Sequence, residues 1–138
     1  SILTTKWPGR IEKLIYKNKI IILDGSHNLS GAEKLNDYLV ANKIKPLTVF
    51  GMLNNKNVLG FLEILKKNID TLYPIQIPDE KNALNKNEIF KVAKKLNIKS
   101  LLKSNLKSIN QSLMKTYNKY ILITGSLYLV GKIRKKYL

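Results

Sequence analysis

The sequence has no cysteine, one histidine and only two arginines. Without cysteine there is no disulfide, no thiolate metal site and no cysteine nucleophile, a pattern that fits a reducing cytoplasm. Long apolar runs are also missing. Aliphatic stretches such as IIIL at 20–23 are far too short to cross a bilayer, so no membrane association is expected. No basic segment followed by an apolar one opens the chain, which argues against a signal peptide. The first residue is Ser1 and not methionine, as expected of a processed or excised piece.

Acids are scarce: nine against 25 lysines and arginines, for a net charge of +16. Such a charge invites a nucleic-acid reading. Two features weigh against it. Sites that read phosphates or base edges favour the planar fork of arginine, and here the cations are lysines apart from Arg10 and Arg134. The lysines are also spread along the chain among many Asn and Ile residues, as in solvated faces and A/T-rich coding. A basic α/β module that binds nucleic acid stays open as an alternative, recognisable by steeply salt-dependent binding to both RNA and DNA.

What is present is an alternation of two periods over 138 residues, a length that suits one domain with one ordinary core. RIEKLIYK (10–17) reads as a strand, and Asn18 turns into KIIIL (19–23), a strand apolar on both faces. Residues 28–42 predict a helix with Ala32, Leu35, Leu39 and Val40 inward. LTVF (47–50) is a strand and 57–69 a helix. TLYPIQI (71–77) is a strand that Pro74 pushes toward a sheet edge or a bend. A helix over 86–98 buries Ile89, Val92, Ala93 and Leu96, and a short strand is expected at 100–102. The helix over 105–117 turns Leu106, Ile109, Leu113 and Met114 inward. A strand at 120–125 and a helix at 126–137 close the chain. Alternation of this kind predicts an α/β fold: an open, mostly parallel sheet of about six strands with helices on both faces. Such sheets bind ligands beyond the carboxyl ends of their strands.

Two strand ends carry chemistry. In LDGSHN (23–28), Asp24 stands where a buried strand stops and Gly25 lets the chain turn. The residues that follow lead into a helix whose first N–H groups attract anions. An aspartate there accepts ribose hydroxyls or holds a hydrated cation, and His27 binds a carboxylate or phosphate. A plain turn with Asn28 or Ser30 as helix cap explains the same letters, except that His27 lies among small polar residues.

The second strand end, TGSLYLVGK (124–132), is not a phosphate loop. Its glycines are one residue too far apart, and Ile133 stands where Ser or Thr is needed. Leu127, Tyr128, Leu129 and Val130 look like helix core, with Ser126 as cap or ligand donor. Lys56, in GMLNNKN (51–57), stands at a third helix entrance, suited to neutralising phosphate or simply solvated. In WPGRIE (7–12), Arg10 either clamps a phosphate or pairs locally with Glu12.

WPGRIE, LDGSHN, GMLNNKN and TGSLYLVG, in that order across the chain, resemble the carboxyl-terminal domain of the folylpolyglutamate synthase/dihydrofolate synthase family of the Mur-ligase superfamily. The family pattern is W-x-G-R-x-E, D-G-A-H-N-P, a G…D-K-D segment and T-G-S-L-Y-L-V-G. The resemblance implies a Rossmann-like domain of an ATP- and Mg-dependent ligase that adds L-glutamate to dihydropteroate or folates through an acyl phosphate. It implies that Arg10 and Asp24 reach the nucleotide, that His27 and Ser126 hold glutamate, and that Asn28 and Lys56 support them. It assigns no metal ligand to these 138 residues. The P-loop, the metal-binding acids and the catalytic lysine would lie on an amino-terminal ATPase domain, the partner of this chain in a monomeric cytoplasmic enzyme. Alone, the chain would be inactive. Another Mur-type amino-acid ligase is the alternative within the class. Here Ser26 and Leu29 replace the alanine and proline of the second motif, and Asn55 and Asn57 replace acids of the third.

Overall fold

The computed structural model describes residues 3–6 and 11–137. Twelve elements follow in order: β1 (Leu3–Lys6), β2 (Glu12–Tyr16), β3 (Lys19–Asp24), α1 (Leu29–Ala41), β4 (Leu47–Phe50), α2 (Val58–Leu65), a 3-10 turn (Lys66–Asn68), β5 (Thr71–Pro74), α3 (Lys86–Lys95), α4 (Leu106–Lys115), β6 (Tyr120–Thr124) and α5 (Leu127–Tyr137). The six strands form one sheet in the order β1-β2-β3-β6-β4-β5. β1, β2 and β3 pair antiparallel, whereas β3, β6, β4 and β5 pair parallel.

The parallel strands are mostly apolar because helices cover both faces. On one face Ile22, Leu122, Phe50 and Leu72 pack with Leu35 and Leu39 of α1, Phe61 and Leu62 of α2, and Ile89 and Ala93 of α3. On the other, Ile21, Leu23, Ile121, Ile123 and Val49 pack with Ile109 and Leu113 of α4 and Leu129 and Ile133 of α5. Four helices start on an asparagine whose side chain accepts a backbone N–H of the first turn: Asn28, Asn57, Asn85 and Asn105. Each such cap contributes about 1 kcal/mol and fixes where its helix enters.

The structure departs from expectation in six places, the first being β1, a strand that the sequence did not announce. Val40 is more than half exposed, since the core face of α1 is filled by Ala32, Leu35 and Leu39. Leu127 and Tyr128, expected in the core of the last helix, are also more than half exposed. They occupy its first turn, whose core side is taken by Leu129. Residues 100–102 form no strand; Ser100 makes a single bridge to Leu72, and the Leu101 N–H donates to the Leu72 carbonyl. This segment shields β5, which ends at Pro74, where the ring removes the N–H a further ladder bond would need. Finally, Glu12 has a distant partner. Arg134 of α5 binds it bidentately, Nε to Oε1 at 3.0 Å and a terminal nitrogen to Oε2 at 2.9 Å.

Candidate functional site at the ends of two adjoining strands

β3 and β6 lie side by side with Asp24 in register with Thr124. The helices that follow them leave on opposite faces: α1 packs in one core and α5 in the other. The two loops therefore diverge at the carboxyl ends of the strands, where open α/β sheets form their ligand crevice. Glycine follows three of the parallel strands. A Cβ on Gly125, which has φ +108°, would run into the Gly51 carbonyl, and one on Gly25 would run into the Leu127 side chain.

Asp24 is 2% exposed. Its Oδ1 accepts the Ser26 hydroxyl at 3.0 Å and the Ser26 N–H at 3.3 Å. An Asp followed two residues later by Ser is the sequence signal for this local turn. His27 is half-buried; its Nδ1 is covered and has no hydrogen-bond partner. A covered ring nitrogen without a partner is costly, and it is the kind of group a ligand satisfies. Asn28 is spent as a cap, its Oδ1 accepting the Gly31 N–H at 2.8 Å.

Across the crevice Ser126 is buried, and its Oγ accepts the Tyr128 N–H at 3.0 Å. Ser126 is thus a cap, and its hydroxyl proton still has to find an acceptor. Lys56 is half-buried just before α2, where its carbonyl accepts the Val58 N–H. A Cβ on Gly60 would meet both Asn57 and Leu29, so the first turns of α1 and α2 touch and Lys56 belongs to the same edge of the sheet. Arg10 lies outside the described residues. The structure therefore brings Asp24, His27, Ser126 and Lys56 to one edge. Thr124 also belongs there: it is fully buried and its Oγ1 has no partner. Sequence reading passes over it because an apolar strand hides one more β-branched residue.

Among the described residues, no group of three or more His, Cys, Asp or Glu side chains could hold a metal ion, and no helix is long and apolar enough to cross a membrane. One carboxylate beside hydroxyls and an imidazole suits the polar groups of a nucleotide or amino acid, and does not by itself build a metal site.

Comparison with known proteins decides between the open alternatives. The model of the family described as "Dihydrofolate synthetase, C-terminal domain" matches residues 9–136. The chain belongs to that family. Folylpolyglutamate synthase of Lacticaseibacillus casei is 30% identical to it over 133 residues, 96% of this chain and 30% of the relative. Mycobacterium tuberculosis folylpolyglutamate synthase, solved with ADP and AMPPCP, superposes with a TM-score of 0.79 at 21% identity, covering 96% of this chain and 33% of that one. A bifunctional folylpolyglutamate synthase/dihydrofolate synthase with Mn, AMPPNP and L-glutamate bound gives 0.73 at 19% identity, over 95% of this chain and 32% of the other. Likeness at such identities establishes the shared fold. The chain spans about a third of the length of these relatives.

Proposed function

We propose that this chain is the substrate-closing, carboxyl-terminal part of an ATP-dependent ligase that joins L-glutamate to dihydropteroate or a folate. The observation that carries the reading is the convergence of the Asp24–His27 and Thr124–Ser126 loops at one crevice, with polar groups held ready there. In the assigned reaction a substrate carboxylate takes the terminal phosphoryl group of ATP, releasing ADP. The amine of glutamate then attacks the acyl carbon, phosphate leaves, and the amine loses a proton.

Asp24, with Arg10, is assigned to the nucleotide. His27 and Ser126 are assigned to glutamate, the imidazole and the hydroxyl donating to a carboxylate so that the amine faces the acyl phosphate. Holding two reactants in one orientation is the main rate gain such residues provide. Closing this chain over a second domain would keep water from the reactive intermediate. The ATP-binding loop and any magnesium ligands are placed on that amino-terminal domain, and the whole protein in the cytoplasm as a monomer.

The test is His27→Ala in the intact protein. Loss of a donor to a charged group, roughly 1.5–3 kcal/mol, should raise the KM for glutamate about 10- to 100-fold and leave that for ATP nearly unmoved. Unchanged glutamate kinetics would remove His27 from the site. Absence of ATP-dependent ligation with pteroate or folate acceptors in the parent protein would remove the reading itself.

A further inference from the structure

The acids of this chain are unevenly placed. Eight of the nine precede residue 81; beyond it Glu88 stands alone against 13 lysines and Arg134. Such an imbalance invites an anionic partner. The acids that follow β5 are already engaged. Asp79 faces Lys132 at 3.6 Å, Glu88 pairs with Lys91 at 3.0 Å, and Glu80 accepts the Asn82 N–H. Among the described residues no carboxylate pairs with Lys86, Lys103 or Lys107.

Lys86 and Lys103 line a cavity of about 370 Å³ between the end of β5 and the starts of α3 and α4. That is the size of a small-ligand pocket. The Lys86 ammonium donates to the Lys103 carbonyl and, at 3.2 Å, to that of Ser104. It clips the segment before α4 to the first turn of α3, so its charge is held in place. Asn85 and Asn105 already cap the two helices, and the lysines give the cavity its sign. The side-chain amides of Gln76 and Asn87 add neutral donors, a set suited to carboxylates. The sheet relates this cavity to the crevice. Asp24, Thr124, Phe50 and Pro74 are in register across β3, β6, β4 and β5. With strands about 4.8 Å apart, Pro74 lies about 10 Å from Thr124 along the same edge. An extended chain advances about 3.5 Å per residue, so about three linked glutamates cover that span.

We propose that this lysine-lined cavity holds the glutamate tail of the acceptor. The proposal rests on the ligase reading. In that reaction each round consumes one carboxylate and brings two, so a product that returns as acceptor carries one more negative charge. The test compares acceptors bearing one glutamate and four glutamates, in the intact protein. The parent should show a KM about tenfold lower for the longer acceptor, the equivalent of one charge-assisted hydrogen bond. Added salt should erode that advantage. Lys103→Gln should raise the KM for the longer acceptor about five- to tenfold. It should leave the KM values for the one-glutamate acceptor, ATP and free glutamate unmoved. Lys103→Arg, which keeps the charge, should stay within about threefold of the parent.

An active parent whose KM ignores tail length overturns the proposal and leaves the ligase reading standing. So does Lys103→Gln with the parental KM for the longer acceptor. Equal weakening of both acceptors overturns it too, because the lysine then acts on the fold or at the crevice. Should Lys103→Gln unfold the protein, Lys107→Gln decides: at an exposed position in the first turn of α4, it should raise only the longer acceptor's KM, about threefold. Salt-dependent RNA binding that Lys103→Gln abolishes, with tail kinetics unmoved, assigns the patch to nucleic acid and overturns the tail site. A parent that ligates glutamate to neither acceptor overturns the ligase reading and this site with it.

Discussion

The two ends of the parallel strands treat their polar groups in opposite ways. At the amino ends two polar side chains, Lys19 and Asn118, tie the strands together. The Lys19 ammonium, 6% exposed, donates to the carbonyls of Thr116 and Asn118, both at 2.8 Å. The Asn118 amide donates to the Lys45 carbonyl at 2.8 Å and to Asp70 Oδ2 at 3.0 Å, while its oxygen accepts the Tyr120 N–H. One small network thus joins the starts of β3, β4, β5 and β6. At the carboxyl ends, 4–6 residues away along each strand, His27 Nδ1 and Thr124 Oγ1 have no partner at all. Orphaned polar groups cost stability, and that cost is accepted at ligand sites and rarely elsewhere. One end of the sheet holds the fold; the other is the end to which the proposed function assigns the chemistry.

The comparison breaks if the carboxyl end proves merely structural. Asp24→Asn in the intact protein keeps the shape and the acceptor for Ser26 but removes the charge. It should lower kcat/KM for ATP about 100-fold or more while moving the thermal midpoint little. Parental activity in this variant would leave the crevice without its nucleotide contact. The mirror experiment is Lys19→Met. It strips the donor from the part-buried carbonyls of Thr116 and Asn118, costing about 2–3 kcal/mol of unfolding free energy in urea titration, with both substrate KM values unchanged. A changed KM would mean that the two ends are coupled. Asn118→Ala, at a half-buried position, should cost less, about 1–2 kcal/mol, and again only in stability.

How far the sequence foretold this depends on the range of the interaction. IIIL before Asp24, the alternating periods and the cap at Asn28 are local signals, and apart from the short strand expected at 100–102 the strands and helices they announce are present. The DGSH and TGS turns were legible as strand-end loops, because glycine beside small polar residues after an apolar run marks a turn. Long-range pairings left no trace. Arg134 meets Glu12 across 122 positions, and Lys19 meets Thr116 across 97, with nothing in either neighbourhood to announce it. Leu127 and Tyr128 misled for the opposite reason. Their apolar character suggested core, but the core side of that first turn is taken by Leu129.

The smallest effect sharpens the contrast from the stable end. Burial lowers the Lys19 pKa below its ordinary 10.5, because removing the ammonium from water disfavours the charged form. The unfolded chain, in which this lysine titrates normally, therefore binds more protons than the fold between the lowered pKa and 10.5. Stability rises with pH wherever the unfolded state binds more protons. Lys19 thus contributes least below its folded pKa, where the full desolvation cost is present, and more as the pH climbs through that window. Other lysines titrate in the same range, so the useful quantity is the stability gap between the parent and Lys19→Met. The gap should be flat through neutral pH and widen as the pH approaches 10.5. A gap that narrows there would mean that the carbonyls of Thr116 and Asn118 favour the ammonium more than burial opposes it. The amino-end network would then be an ion-binding cage for a charge, and not a set of neutral hydrogen bonds that tolerates one.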